Sequence, residues 1–101
     1  MAQFDVYVNT NTTTAQLFPY LLNIQHDLLS NLRTRVVVPL CSDKSPMTHL
    51  NPSFVIENTT VYMSTSDMAG ITLSSCGKVV TNIEINRREI INALDFLVSG
   101  F

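Results

Sequence analysis

Apolar and polar positions alternate from the first residues of the chain. Phe4, Val6 and Val8 fall on one side of an extended backbone, with Asp5 and Tyr7 on the other. This period of two predicts a half-buried strand over residues 4–8. Residues 9–14 hold no apolar side chain and read as an exposed loop. Strand character resumes over residues 17–24. Pro19 lacks an amide proton, which predicts an edge or bulged position for that strand. Residues 25–31 form a turn-rich connection carrying the adjacent Leu28 and Leu29. The β-branched run Arg33-Thr34-Arg35-Val36-Val37-Val38 predicts a central strand, stopped by Pro39. Residues 40–52 contain Pro46 and Pro52 and predict a long irregular loop with room for one helical turn. Phe54-Val55-Ile56-Glu57 and Val61-Tyr62-Met63-Ser64 flank Asn58-Thr59-Thr60 as a hairpin. Further strand segments are expected over 71–75 and 78–80, with Gly77 in the turn between them.

The last part of the chain changes period. Asn86 stands three residues before Glu89, which predicts an N-cap with a capping box. Ile90, Ile91, Leu94, Leu97 and Val98 then recur at helical spacing, and Gly100 is the expected stop. No repeat or linker divides the chain, so residues 1–101 read as one domain. The simplest way to bury these faces is a mainly β fold: antiparallel strands in a small barrel, closed by a C-terminal helix.

Composition sharpens the functional picture. Only 14% of residues are charged, and eleven Thr, nine Ser and nine Asn supply the remaining polarity. A net charge of −2 argues against a broad nucleic-acid face, which needs a basic excess. No apolar run reaches membrane-spanning length. No basic segment followed by an apolar one opens the chain, so no export signal is expected. Cys41 and Cys76 are then expected to be reduced thiols, and two cysteines 35 positions apart make no zinc site. The three glycines, at 70, 77 and 100, form no phosphate-binding loop. His26 next to Asp27 invites a general-base reading. Neighbours on an extended chain face opposite ways, however, and a surface His in a turn is the simpler account. Arg33 and Arg35 share a strand face; a phosphate or carboxylate site is one reading of such a pair, and a solvated face is the commoner one. Met63 and Met68 read as gap-filling core.

The end of the helix is more informative. Asp95 stands near the negative end of the helix dipole, where a carboxylate is disfavoured by roughly a few tenths of a kcal/mol. Beyond it run Phe96-Leu97-Val98-Ser99-Gly100-Phe101. Full burial of a Phe side chain is worth roughly 1.5–3 kcal/mol, so Phe101 either folds back onto the barrel or meets a partner.

Five stretches stand in order along the chain: Gln3-Phe4-Asp5-Val6-Tyr7, Gln25-His26-Asp27-Leu28-Leu29, Arg35-Val36-Val37-Val38-Pro39-Leu40, Ser66-Asp67-Met68-Ala69, and Ile91-Asn92-Ala93-Leu94 with Gly100-Phe101. Together they resemble the CcdB family of toxins. The resemblance implies an SH3-like barrel of the CcdB/MazF type, with a main antiparallel sheet, a small second sheet and a C-terminal α-helix. It implies a homodimer in the bacterial cytoplasm, without catalytic residues, metal or cofactor. It implies binding to the GyrA subunit of DNA gyrase, trapping of the gyrase–cleaved DNA complex, and neutralisation by a CcdA-type antitoxin through a disordered segment. Carried onto this chain, the gyrase contact falls on Asp95, Val98, Ser99, Gly100 and Phe101, with Leu28 and Leu29 near the same surface. The family pattern places a Trp where this chain has Ser99, and the chain has no Trp. Two other readings remain. A MazF-like endoribonuclease on the same barrel would draw on Arg33, Arg35 and His26. A non-toxic relative would keep only the antitoxin contact.

Overall fold

The computed structural model describes residues 2–43 and 50–100. Pro46 and Phe101, singled out above, lie outside the described residues. Seven strands and one α-helix follow in the order β1 (Asp5–Asn9), β2 (Tyr20–Asn23), β3 (Thr34–Cys41), β4 (Ser53–Ile56), β5 (Thr59–Met63), β6 (Ala69–Thr72), β7 (Cys76–Asn82) and α1 (Arg87–Ser99). The strands form one antiparallel sheet in the order β4-β5-β3-β2-β1-β7, with β6 also paired to β3. The sheet curls into a half-barrel with α1 against one face. The expected mainly β barrel with its C-terminal helix is therefore present. The expected small second sheet is instead the β4–β5 hairpin of this same sheet, whose ladder to β3 runs through Leu40 and Cys41.

The two faces of the sheet differ in chemistry. Cross-strand partners share a face, and Val6, Leu22 and Val38 are successive partners. They join Phe4, Leu40, Phe54, Ile56, Val61, Met63, Ile83, Ile90 and Ala93 in the apolar core under α1. Met68 packs against the same cluster, so both methionines do fill core. Ile90 is fully buried. Ile90→Ala should cost about 2–5 kcal/mol, read as a lower urea midpoint with unchanged slope. The opposite face carries Asp5, Tyr7, Asn9, Leu21, Asn23, Arg35, Val37 and Pro39. Among them Asp5, Asn9, Asn23 and Arg35 are buried polar residues. The half-buried reading of the first strand is corrected here: Tyr7 is 1% exposed and Asp5 is buried. A curled sheet covers both sides of its central strands, which a single strand's alternation does not reveal.

Local differences have physical reasons. β3 runs through Pro39 instead of stopping there. One edge of β3 pairs with β6 over Thr34–Val37 and with β5 from Leu40, so Pro39 sits where that edge changes partner. Its carbonyl accepts from the Ser64 amide on that side, and no ladder bond needs a proline N–H there. β2 is central rather than an edge, because Pro19 lies just before it. Pro19 contributes only its carbonyl, which accepts from the Asn9 amide at 3.0 Å. The hairpin turn is Glu57-Asn58, not Asn58-Thr59-Thr60. Both residues have positive φ (49° and 64°), the form that matches strand twist in a two-residue turn. Gly77 lies inside β7, and β6 and β7 pair with β3 and β1 rather than with each other. Asn86 does cap α1, but its side chain makes no capping hydrogen bond, because a 3₁₀ turn (Glu84–Asn86) already leads into the helix.

Candidate functional site

The apolar stripe of α1 outruns its support. Ile90 and Ala93 are buried and Ile91 and Leu94 pack against the core. Val98, one turn beyond Leu94 on the same stripe, is 83% exposed. Leu97 is part-exposed beside it. Asp95 and Ser99, spaced i and i+4, are exposed. Gly100 closes the helix in the left-handed region at φ 77°, its N–H donating to the Phe96 carbonyl at 2.8 Å. Glycine adopts this conformation without a Cβ penalty, so it ends the helix and sets the direction in which the chain leaves. The helix end thus presents Asp95, Val98, Ser99 and Gly100 together.

Leu28 and Leu29 occupy a different place. They lie on a 3₁₀ turn, Asp27–Leu29, capped by His26, whose Nδ1 accepts from the Leu28 amide at 3.1 Å. Asp27 Oδ1 accepts from the Gln3 amide at 2.7 Å, and Gln3 Oε1 accepts from Arg87 at 3.4 Å. The Arg87 guanidinium lies 5.5 Å from the centre of the Phe4 ring. These bonds tie the turn to the first residue of α1. Ser99 stands about 18 Å of helix further on. Leu28 is 85% exposed and Leu29 half exposed. Within one chain the bonds join the two parts of the expected surface to opposite ends of the helix.

Among the described residues, Arg33 and Arg35 do not share a solvent groove. Arg33 is exposed, but Arg35 is only 4% exposed, which corrects the solvated-pair reading. Its guanidinium donates to the carbonyls of Leu32 (2.6 Å), Thr34 (2.9 Å) and Ser30 (2.9 Å). It serves to fold back the loop between the Asp27–Leu29 turn and β3. Sequence reasoning missed the reason: a guanidinium whose own loop supplies acceptors three and five residues upstream can be buried on a strand.

Sequence reasoning also missed a groove of about 480 Å³ on the sheet face opposite α1. Leu21, Val37 and Pro39 line it from the central strands, Ala69 and Ile71 from β6, and Asn9 and Phe18 from the first hairpin. Its signal was present in the odd-numbered residues of β1 to β3, which share one face. On that face the Tyr7 hydroxyl is the one buried side-chain polar atom without a partner among the described residues. Burial, then the nearby Asp5 carboxylate, push its pKa up to about 12, against the opposing pull of Arg35. Because the folded value lies above the ordinary value near 10, this group's stabilising contribution is full below about pH 10. It is lost as pH rises towards 12. Alkaline denaturation should steepen in that window, and Tyr7→Phe should flatten it. An unchanged profile in the variant would assign the alkaline loss to other groups.

A family model for the CcdB protein matches residues 3–100. The chain belongs to the CcdB family. Membership places it among the toxins of toxin–antitoxin systems, a family of gyrase poisons rather than catalysts. The five stretches that carried the resemblance occupy β1 and its approach, the Asp27–Leu29 turn, β3, the entry to β6, and α1. In this CcdB-family chain, Ser99 is the exposed last residue of α1. No helix among the described residues is long and apolar enough to cross a membrane. No group of three or more His, Cys, Asp or Glu that could hold a metal occurs among the described residues.

Proposed function

We propose that this protein is a gyrase poison that works by binding. A homodimer presents the ends of its two α1 helices to the GyrA subunit of DNA gyrase and holds the enzyme on cleaved DNA. A CcdA-type antitoxin reverses the contact. The observation carrying this reading is Val98, a large apolar side chain left 83% exposed at the end of a well-packed helix, in a chain matched to the CcdB family over residues 3–100. Isolated apolar surface of this kind gains most when a partner buries it, at about 25 cal/mol per Å². Asp95 and Ser99 beside it supply polar contacts at the rim, and Gly100 ends the helix there. The buried, carbonyl-bound Arg35 speaks against a ribonuclease reading, which needs its cations in a solvent groove.

The test is affinity capture of purified GyrA, with a gyrase DNA-cleavage assay beside it. The expected outcome is retention of GyrA and accumulation of linearised plasmid, both lost when residues 99–101 are removed. Specific cleavage of RNA by the pure protein without gyrase would overturn the reading. Antitoxin binding with no gyrase capture would identify a relative that has lost the poison activity.

A further inference from the structure

We propose that the groove on the sheet face opposite α1 binds a small organic amine, with its apolar body on the groove floor and its cationic nitrogen at the Asp67 carboxylate. The first observation is the chemistry of the floor. The groove holds about 480 Å³, within the range of small-molecule sites, and Leu21, Val37, Pro39 and Ile71 give it an apolar base. The second is that much of its polar rim is already engaged. Asn9 Nδ2 donates to the Phe18 carbonyl at 2.8 Å and to Thr14 Oγ1 at 3.0 Å, and Asn9 Oδ1 accepts from the Asn11 amide at 3.0 Å. Thr10 Oγ1 donates to the Ser75 carbonyl at 3.2 Å, and Ser75 Oγ pairs with Thr72 Oγ1 at 2.8 Å.

Asp67 is the one charged residue lining the groove among the described residues. It stands on the 3₁₀ turn Thr65–Asp67, just before β6. That turn is held in place: the buried Thr65 hydroxyl donates to the Leu50 carbonyl, and the Asp67 amide donates to the Ser64 carbonyl at 3.0 Å. Asp67 Oδ2 accepts from Ser64 Oγ at 2.6 Å, which leaves Oδ1 without a hydrogen bond among the described residues. No basic side chain lines the groove to neutralise it. An anchored carboxylate beside an apolar floor complements one positive nitrogen on a hydrocarbon body. It disfavours an anion of the same shape. The apolar part supplies most of the affinity, about fourfold for each methylene buried. The charge supplies selectivity, about threefold for an exposed ion pair. This site goes beyond the gyrase reading and does not rest on it.

The experiment titrates the isotope-labelled full chain with hexylamine, hexanol and hexanoate at matched ionic strength and follows the backbone amide shifts. Saturable shifts are expected at Leu21, Val37, Asp67 and Ile71. Hexylamine should bind about threefold tighter than hexanol, and hexanoate more weakly than either. Butylamine, two methylenes shorter, should bind about tenfold more weakly than hexylamine. Asp67→Asn changes an exposed position and keeps an acceptor for the Ser64 hydroxyl, so it should fold as the parent does. In that variant hexylamine should fall to the affinity of hexanol, with hexanol unchanged. Ala69→Leu, exposed on the groove wall, should weaken the amine and the alcohol together. The ligand series on the parent chain decides the proposal even where a variant does not fold. No saturable shift with hexylamine, shifts confined to residues outside the groove, or an amine preference that survives in Asp67→Asn overturns the site. Shifts that follow protein concentration instead of added amine give the groove to a second copy of the chain, and overturn it equally.

Discussion

Val98→Glu abolishes growth arrest on expression and leaves the fold intact. The parent side chain is 83% exposed, so replacing it removes almost no core contact. A surface change of this kind usually alters stability by about 0.5 kcal/mol or less, with a small further cost for an acidic group at a helix C-terminus. At an interface the same change has a far larger effect. It deletes an apolar anchor worth roughly 1.5–3 kcal/mol and puts a carboxylate where the proposed contact would bury an apolar side chain. Together these should weaken capture of GyrA by about 100-fold or more. The checks are a growth assay, a capture assay and a melting midpoint on the same variant. Parental toxicity in Val98→Glu would move the contact away from the helix end, and Leu28→Glu would then test the exposed turn at the other end. The converse change, Ser99→Trp, adds an aromatic anchor beside Val98 and should tighten capture by about tenfold.

Gly77→Ala should be among the most damaging single substitutions to stability. Gly77 lies in β7 beside the end of β1, where a Cβ would strike the Val8 carbonyl oxygen and meet the Thr10 methyl at 2.9 Å. The Val8 carbonyl is backbone and cannot rotate away. The strands must separate or slip where Asn9 pairs with Cys76, next to an existing register irregularity. Overpacking of this kind costs about 3 kcal/mol, which for a domain of this size lowers the melting midpoint by about 15 °C. Gly100→Ala should be milder: nothing stands within 4 Å of its Cβ, and only the positive φ resists it. A Gly77→Ala midpoint within about 2 °C of the parent would show that β1 and β7 accommodate the side chain by sliding.

Much of the architecture is legible in the order of residues. Period two marked β1 and the β4–β5 hairpin, β-branching marked β3, and the change to helical spacing with Gly100 marked α1 and its end. The proposed contact at Asp95, Val98 and Ser99 came from the resemblance to the CcdB family; the residues alone pointed only to an apolar chain end that needs cover. The errors cluster at Pro39, Gly77, Tyr7 and Arg35. Pro39 and Gly77 were read by their usual roles as strand stop and turn. Their actual roles depend on which strand lies beside them. Tyr7 and Arg35 were assigned to solvent because alternation reports one face at a time.

The sequence by itself determined the element types, the apolar stripe of α1 and membership of a toxin family, since these rest on local periodicity and on short stretches in order. Only the tertiary structure decided that both sheet faces are buried, that Arg35 and Tyr7 share the second one, and that the exposed leucine turn is tied to the start of the helix. Those facts depend on strand pairing over long chain separations. Curling the sheet brings together β1, β3 and β7, and no window along the chain contains the desolvation that follows.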